Sequence, residues 1–282
     1  MKIVGRQISS LGKAVKYQQM VDDKWLTETA YINDGRKHII CFASQLGCQV
    51  ACKICFNGLY PNFYGNLDAA QIVRQCSNIA EDMNLSASGR QIIFSCMGIG
   101  EPFHNYDNVM SAMLALDAKY PGNKFAMSTT MPRTDLIKRL AADTRSLDSF
   151  KLMVSLHGSN DAQRKKIIPA HESMSALRDA VDYYACNTPH SYEWNYVLIA
   201  GVNDKDKHAK ELAGFMAPGD FIKISAFNAI PGSSFKNSDK ADRFKELLDR
   251  AGIRCETFVP DGADIGGSCG QMAAQIINSN QK

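Results

Sequence analysis

The stretch His38-Ile-Ile-Cys-Phe-Ala-Ser-Gln-Leu-Gly-Cys48-Gln-Val-Ala-Cys52-Lys-Ile-Cys55 decides the fold. Its first six residues form an apolar, β-prone run, and a loop with three closely spaced cysteines follows directly. Further along the chain, β-prone runs alternate with amphipathic segments of helical periodicity. Strands separated by such helices are typical of parallel βαβ units. The pattern therefore predicts an α/β protein.

Six strand–helix pairs are predicted from residue 38 onward. The strands cover residues 38–43, 91–97, 124–128, 150–156, 193–199 and 221–227. The helices cover residues 68–83, 106–119, 134–142, 173–185, 206–215 and 239–251. Because a closed barrel of this kind has eight such units, we predict a partial (β/α)6 barrel. Its functional residues should follow the carboxyl ends of the strands.

The chain before the first unit follows a different pattern. Lys13–Tyr17 and Trp25–Ile32 are β-prone runs that flank the polar turn Asp22-Asp23-Lys24. We predict a short N-terminal β-hairpin extension over residues 1–35. The barrel is predicted over residues 36–282 and ends in a glycine-rich loop that contains Cys269.

The composition is that of an ordinary globular protein of 282 residues, with a formal net charge of +3. This charge permits a nucleic-acid partner without requiring one. The first residues lack the apolar core of a secretory signal, and no apolar run reaches the roughly 18 residues of a membrane span. Nine cysteines, three of them in one loop, favour metal binding or catalysis over a disulfide framework. We expect a cytoplasmic protein with no membrane association, and a monomer by default.

The three cysteines of the loop can bind a metal cluster. Three thiolates can hold three corners of a cubane iron–sulfur cluster. Structural zinc sites normally have four protein ligands, so a set of three leaves one metal position open for another molecule. The alternative is a zinc knuckle whose fourth ligand is Cys41.

The second predicted strand ends in Met97-Gly-Ile-Gly-Glu-Pro102. Two glycines let the backbone approach a ligand closely. The carboxylate of Glu101 can accept hydrogen bonds from an ammonium group. Taken alone, this segment is equally compatible with a plain turn.

Together these motifs resemble the radical S-adenosylmethionine superfamily. The resemblance implies a [4Fe–4S] cluster on Cys48, Cys52 and Cys55, with S-adenosylmethionine on the open iron. It also implies that Gly100 and Glu101 belong to a motif that binds the amino group of this cofactor. Five segments in order narrow the resemblance to the RlmN/Cfr family of radical adenine methyltransferases: Cys41–Cys48, Met97–Pro102, Ser155–His157, Asn228–Gly232 and Cys269–Met272.

The family resemblance implies a methyl relay between two further cysteines. Cys269 takes a methyl group from one S-adenosylmethionine, and a radical generated from a second abstracts hydrogen from it. The resulting carbon radical adds to carbon 2 or carbon 8 of an adenine in ribosomal or transfer RNA. Cys41 then attacks the sulfur, a Cys41–Cys269 disulfide forms, and Glu28 takes the proton. The family also implies a flavodoxin-type electron donor.

The resemblance places four more residues in the S-adenosylmethionine pocket: Ser128, Ser155, His157 and Asn228. Each has a structural alternative. The serines can satisfy turn backbone, Asn228 can be a turn residue, and a histidine at a strand end is often structural. Likewise, Glu28 can be a solvated charge and Cys269 an idle thiol.

The sequence also departs from the family. Members that act on ribosomal RNA carry an N-terminal helical domain, where this sequence has only about a dozen residues. The segment Phe56–Asn66 is unusual and rich in aromatic residues, which can stack on a base or fill the barrel mouth. The run Arg164-Lys165-Lys166 can contact phosphates or be a solvated surface. A radical enzyme with a nucleotide, peptide or natural-product substrate stays an alternative, as does a non-catalytic iron–sulfur or zinc protein.

Overall fold

A computed structural model describes residues 1–273 and 275–276. The strands are β1 Lys2–Ile8, β2 Ala14–Val21, β3 Trp25–Asn33, β4 His38–Cys41, β5 Gln45–Gly47, β6 Phe63–Asn66, β7 Ile92–Cys96, β8 Lys124–Thr129, β9 Phe150–Ser155, β10 Ser191–Leu198, β11 Phe221–Ala226, β12 Arg254–Phe258 and β13 Gln275–Ile276. The α-helices are α1 Phe56–Leu59, α2 Ala69–Asp82, α3 Tyr106–Lys119, α4 Ile137–Asp143, α5 Asp161–Ile167, α6 Met174–Asn187, α7 Asp206–Phe215 and α8 Ala241–Arg250.

Eleven strands of the described chain form one sheet, in the spatial order β1-β2-β3-β4-β7-β8-β9-β10-β11-β12, with β13 paired to β3. From β4 to β12 every neighbouring pair is parallel. Parallel neighbours need long crossover connections, which helices provide here. The α/β class and the six predicted strand–helix pairs are confirmed, with ends that shift by a few residues. Strand β12 is an additional parallel strand beyond the six predicted.

The N-terminal strands extend this sheet in antiparallel fashion. The predicted hairpin is confirmed as β2 and β3, joined at Asp22 and Asp23, which both have positive φ. Aspartate tolerates this left-handed backbone, which suits the twist of a tight hairpin. Strand β1 pairs with β2, and β3 pairs with β4. The N-terminal region therefore continues the barrel sheet, and its separation as residues 1–35 stays a prediction.

The strands present one apolar face and one polar face, because successive side chains alternate across a sheet. On β11, Ile222 and Ile224 are buried in the apolar core. Between them, the Lys223 ammonium lies 2.9 Å from a carboxylate oxygen of Glu193, and Lys151 pairs with the other oxygen at 3.1 Å. The Glu193 side chain is only 2% exposed. A charged layer therefore lies on the face of the sheet opposite the apolar core.

The longest helices, α2, α3 and α6, each have 14 residues. No helix within the described residues combines the length and the apolar character needed to cross a membrane.

Candidate active site

The three cysteines of the predicted cluster lie in the loop between β5 and α1, shortly after β4. The Cys48 amide donates to the Asn62 carbonyl at 3.0 Å, which ties the start of the loop to the chain before β6. At the other end of the loop, Gly58 packs against the Cys52 backbone, where a Cβ atom would lie 2.0 Å from the Cys52 carbonyl oxygen. Only glycine fits at this position, so the cysteine loop depends on the turn that follows it.

The three thiols of this loop are a suitable donor set for an iron–sulfur cluster. Burial raises the pKa of all three thiols, and it raises that of Cys48 to about 12. A thiolate at Cys55 would raise the pKa of Cys48 and of Cys52 further. The three sulfurs thus lie within electrostatic range of one another. Yet, across residues 1–273 and 275–276, no three His, Cys, Asp or Glu side chains converge to hold one metal ion. A cubane cluster binds each thiolate at a different iron, so it does not require the three sulfurs to meet at one point.

Gly100 and Glu101 follow β7 as predicted. Gly100 has a φ of +105°, and a Cβ atom there would lie 2.5 Å from the Ser44 hydroxyl oxygen. The Glu101 amide donates to the Gln45 side chain at 2.9 Å. The strand-end loop is therefore packed against the segment that leads into the cysteine loop, and glycine is needed for this packing.

The Glu101 carboxylate is buried and already has four protein donors. One oxygen accepts from the Phe103 amide at 3.1 Å and the Thr129 hydroxyl at 2.5 Å. The other accepts from the amide and the hydroxyl of Thr130, both at 2.9 Å. Four donors match the acceptor capacity of a carboxylate. In this arrangement Glu101 joins β7 to β8, and its contact with a cofactor ammonium stays a prediction.

The structure brings Ser128 and Ser155 together at the ends of adjacent strands. Their hydroxyl oxygens lie 3.5 Å apart. His157 lies two residues further on, is buried, and has a positive φ of 55°. Its Nδ1 accepts from the Val197 amide at 3.1 Å, so the neutral ring carries its proton on Nε2. Burial and the nearby Arg164 guanidinium lower the pKa of His157 to about 3, which keeps the ring neutral.

Arg164 does not contact phosphates, because its side chain is fully buried. Its guanidinium donates to the carbonyls of Ser155 and Leu156, at 2.5 and 2.6 Å, and to that of Thr130 at 2.7 Å. It therefore joins the ends of β8 and β9 beneath the proposed cofactor pocket. A phosphate contact at this residue is thus the wrong interpretation, whereas Lys165 is exposed.

The segment around Cys269, residues 268–273, packs on the cysteine loop. The Phe56 amide, next to Cys55, donates to the Gly270 carbonyl at 2.7 Å. Gly270 has a φ of +82°, and a Cβ atom there would lie 2.7 Å from the Ile54 carbonyl oxygen. This close approach requires glycine and places Cys269 beside the proposed cluster.

The same segment is also tied to the loop after β11. The Asn228 side-chain amide donates to the Cys269 carbonyl at 3.0 Å. The Gln271 side chain donates to the Ala229 carbonyl at 2.9 Å. Asn228 therefore holds the backbone of Cys269, and its contact with a cofactor stays a prediction.

Two further contacts join the segment to the cysteine loop and to β3. The Asn57 side-chain amide donates to the Met272 carbonyl at 2.8 Å. One Glu28 oxygen accepts from the Ala273 amide at 2.9 Å, and the other lies 3.1 Å from the Lys16 ammonium. The side chains of Glu28 and Lys16 are 7% and 11% exposed. Glu28 is therefore a buried, paired carboxylate, and not a solvated charge.

Cys41 and Cys269 lie within electrostatic range of each other. Burial raises the pKa of the Cys41 thiol, and the thiolate of Cys269 would raise it further. The pKa of Cys269 is also raised, mainly because protein is packed around its sulfur. The Lys223 ammonium opposes this rise, and a thiolate at Cys55 would add to it. The Cys269 residue is nevertheless exposed to solvent. All nine cysteines are free thiols in this structure, so the Cys41–Cys269 disulfide stays a prediction.

Comparisons with known proteins agree with this geometry. Residues 35–173 match a family model described as a 4Fe-4S single cluster domain. A probable dual-specificity RNA methyltransferase RlmN from Pseudothermotoga lettingae is 32% identical over 99% of this chain and 81% of its own length. A dual-specificity RNA methyltransferase RlmN from Alkalilimnicola ehrlichii is 31% identical over 100% of this chain and 79% of its own. The chain belongs to the RlmN family.

One solved structure supports the radical SAM methyltransferase class, and a second shares the fold. A radical SAM methyltransferase from Sphaerobacter thermophilus superposes with a TM-score of 0.87 at 29% identity, over 96% of this chain and 80% of that one. SuiB from Streptococcus suis, bound to S-adenosylmethionine, shares the fold, with a TM-score of 0.57 at 15% identity, over 81% of this chain and 53% of that one. The predicted enzyme class, a radical SAM methyltransferase of the RlmN family, is confirmed. The predicted cofactors, a [4Fe–4S] cluster and S-adenosylmethionine, are confirmed with it.

Three residues of this RlmN-family site escape sequence reasoning. Arg164 stands in a basic run that looks like a surface. Lys16 carries a weak signal, because the hairpin register pairs Gln18 with Glu28 and thus places Lys16 diagonally across from it. Asn57 also carries a weak sequence signal, because it stands two residues after Cys55. In the structure its side-chain amide lies 3.9 Å from the Cys55 sulfur.

Proposed function

We propose that this enzyme methylates carbon 2 or carbon 8 of an adenine in RNA, with Cys269 as methyl carrier and Cys41 as resolving thiol. The observation that carries the proposal is the position of the Cys269 segment on the cysteine loop, where the Phe56 amide, next to Cys55, donates to the Gly270 carbonyl at 2.7 Å. A carrier needs this placement, because it must meet the cofactor bound at the cluster and then the second thiol.

Each cysteine has a defined task in the proposed relay. Cys48, Cys52 and Cys55 would hold the cluster, which would supply the electron for cleavage of S-adenosylmethionine. The Cys269 thiolate attacks the sulfonium methyl group and forms a carbon–sulfur bond, with a thioether as leaving group. Later the Cys41 thiolate attacks the Cys269 sulfur, so that a disulfide forms as the carbon–sulfur bond breaks. The electron pair of the broken bond leaves with the base, whose methylene carbon takes up a proton to complete the methyl group. Sulfur suits both steps because it is nucleophile and leaving group.

Neighbouring charges support these tasks. Burial raises the pKa of Cys269, and the Lys223 ammonium offsets part of that rise, which helps the thiolate to form for the attack. Glu28 is proposed as the base that takes the proton from the adenine carbon. Its carboxylate accepts a hydrogen bond from the Ala273 amide of the Cys269 segment, and this contact supports the role.

The proposed cofactor pocket is lined by residues from several strand ends: Gly100, Glu101, Ser128, Ser155, His157 and Asn228. The nearness of Ser128 and Ser155 supports a shared pocket at the ends of β8 and β9. Arg164 would hold these strand ends in register through three carbonyls.

The substrate follows from the relatives, whose names describe dual-specificity RNA methyltransferases. We propose ribosomal or transfer RNA as substrate. A flavodoxin-type protein is proposed as electron donor and the cytoplasm as compartment. The clustering of three of the nine cysteines in one loop, where they can bind a metal cluster, supports a reducing environment.

Mass spectrometry of the Cys269 peptide tests the relay. The protein is purified without oxygen, its cluster is reconstituted, and methyl-deuterated S-adenosylmethionine is added. We expect a deuterated methyl group on Cys269 that is absent from Cys269→Ala. Cys186→Ala is the matched control, because Cys186 is also an exposed thiol but lies on α6. With RNA added, Cys41→Ala should accumulate a covalent protein–RNA adduct. An unmethylated Cys269 alongside formation of 5′-deoxyadenosine would refute the relay.

A further inference from the structure

The aromatic side chain Tyr60 lies at the edge of the proposed active site, in the segment Phe56–Asn66, whose aromatic residues can stack on a base or fill the barrel mouth. It directly follows α1, whose first residue, Phe56, donates its amide to Gly270 beside Cys269. We propose that Tyr60 is the platform on which the target adenine stacks when it enters the site. The inference rests on the proposed function and names the residue that receives its substrate base.

Contacts on two sides fix the position of Tyr60. Its hydroxyl donates to the Pro231 carbonyl at 3.2 Å. Its ring packs on Phe56, with ring centroids 4.9 Å apart and an interplanar angle of 38°. A Cβ atom at Gly232 would lie 2.4 Å from the Tyr60 hydroxyl, so glycine there makes room for it. Tyr60 thus bridges the cysteine loop and the loop after β11.

The same two loops hold the methyl carrier. The cysteine loop binds the Gly270 carbonyl through Phe56, and the loop after β11 binds the Cys269 carbonyl through Asn228. Tyr60 spans these loops from the other side. Tyr60 and Cys269 are therefore attached to the same two loops, and a base that accepts a carbon from Cys269 must enter near these loops.

The ring of Tyr60 remains accessible although it is held in place. The residue is 47% exposed, whereas most large aromatic side chains of the core, such as Phe103, are buried. An aromatic ring that is fixed but accessible loses little conformational entropy when a ligand stacks on it. RNA-binding proteins use such rings for unstacked bases, because every base offers a flat π-face. The electron-rich phenol face suits a purine such as adenine.

Other exposed aromatic residues lack this combination. Tyr183 is 36% exposed but lies on α6, where Lys138 covers its ring at 5.6 Å. Phe63 is 38% exposed on β6, and no aromatic partner orients its ring among the described contacts. Phe258 is 40% exposed at the end of β12, where the Lys223 ammonium covers its ring at 5.3 Å. Among the described contacts, Tyr60 alone of these four residues touches both loops that hold Cys269.

Kinetics of methyl transfer to unmodified ribosomal and transfer RNA transcripts test the proposal. For Tyr60→Ala we expect kcat/KM for RNA to fall about 5- to 100-fold, the range of base-stacking losses on alanine substitution. Tyr60→Phe keeps the ring and should stay within about threefold of the unsubstituted enzyme. Tyr183→Ala, an exposed tyrosine away from the site, is the matched control.

Two readouts separate base stacking from a structural role. The first is methylation of Cys269 without RNA, which needs the carrier segment in place but no base. The second is the fluorescence of a short oligoadenylate with a central 2-aminopurine, which is quenched on an aromatic ring. We expect quenching by the unsubstituted protein and by Tyr60→Phe, but not by Tyr60→Ala.

The outcomes are distinct. The proposal is overturned if Tyr60→Ala leaves kcat/KM for RNA unchanged, or if Tyr60→Ala and the unsubstituted protein quench 2-aminopurine equally. Loss of Cys269 methylation in Tyr60→Ala overturns it too, because Tyr60 would then support the carrier segment. If the unsubstituted protein methylates Cys269 but transfers nothing to RNA, the proposed function fails in its substrate, and the 2-aminopurine titration still decides the role of Tyr60.

Discussion

Glu28→Ala perturbs the buried ion pair beneath the Cys269 segment. The substitution leaves the Lys16 ammonium, 11% exposed, without its carboxylate at 3.1 Å, and the Ala273 amide without its acceptor. Removing one partner of a buried pair costs about 3–5 kcal/mol, and slight exposure favours the lower end. The expected loss of about 3 kcal/mol is a large part of the roughly 5–15 kcal/mol that stabilises a typical protein. It corresponds to a decrease in Tm of roughly 6–12 °C.

Thermal unfolding of the protein without cofactors, followed by circular dichroism, measures this loss independently of catalysis. Glu28→Gln keeps an acceptor for the Ala273 amide but leaves Lys16 unpaired, so it should be intermediate. Adding Lys16→Met removes the unpaired charge and should recover at least half of the loss.

An exposed ion pair provides the control. Arg133 and Asp135 lie 2.6 Å apart, with side chains 53% and 62% exposed. Solvent screens such a pair, so Asp135→Asn should cost less than about 1 kcal/mol. If Glu28→Ala changes the Tm by less than about 2 °C, or no more than Asp135→Asn does, the ion pair contributes nothing and the reasoning is refuted.

Three other substitutions test the site. Gly270→Ala should abolish Cys269 methylation by pushing against the Ile54 carbonyl, whereas Gly122→Ala, with a similar φ of +77° and open space, should not. Arg164→Met leaves three carbonyls without donors, at about 1–3 kcal/mol each, so the Tm should fall by more than about 6 °C. His157 has a pKa of about 3 in the folded protein, whereas a histidine in the unfolded chain has one of about 6.5. The free energy of unfolding should therefore not depend on His157 above about pH 6.5, and should fall by about 1.4 kcal/mol per pH unit below it, because only the unfolded chain binds the proton there. His157→Asn should flatten that slope in urea unfolding measured between pH 7 and pH 5.

The central strands could be predicted from the sequence because they are apolar runs buried by helices on one side. The edge strands could not. Strand β12, Arg254-Cys-Glu-Thr-Phe258, carries two charged residues, and most of its residues are exposed. Strand β1, Lys2–Ile8, is similarly exposed. Their strand character comes from pairing with β11 and β2, which the local sequence does not encode.

The candidate site divides in the same way. The cysteine loop and the glycines after β7 are local motifs, so their spacing reveals them. The burial of Glu28 and Arg164 is a tertiary property. Glu28 is covered by residues 268–273, about 240 positions away in the chain. Arg164 stands in a basic run, and only the folded strand ends provide the three carbonyls that satisfy it.

The attachment of the Cys269 segment has a consequence for its dynamics. Five hydrogen bonds join it to the cysteine loop, the loop after β11 and Glu28. At about 1 kcal/mol each, they make opening of the segment cost about 5 kcal/mol, so that on the order of one molecule in a few thousand is open at any moment. Amide hydrogen exchange at Gln271 and Ala273, whose amides donate to the Ser268 carbonyl and to Glu28, should therefore be slowed by about three orders of magnitude, far more than in a loose glycine-rich tail. Cys269 would then be presented by a closed state that opens only briefly and rarely.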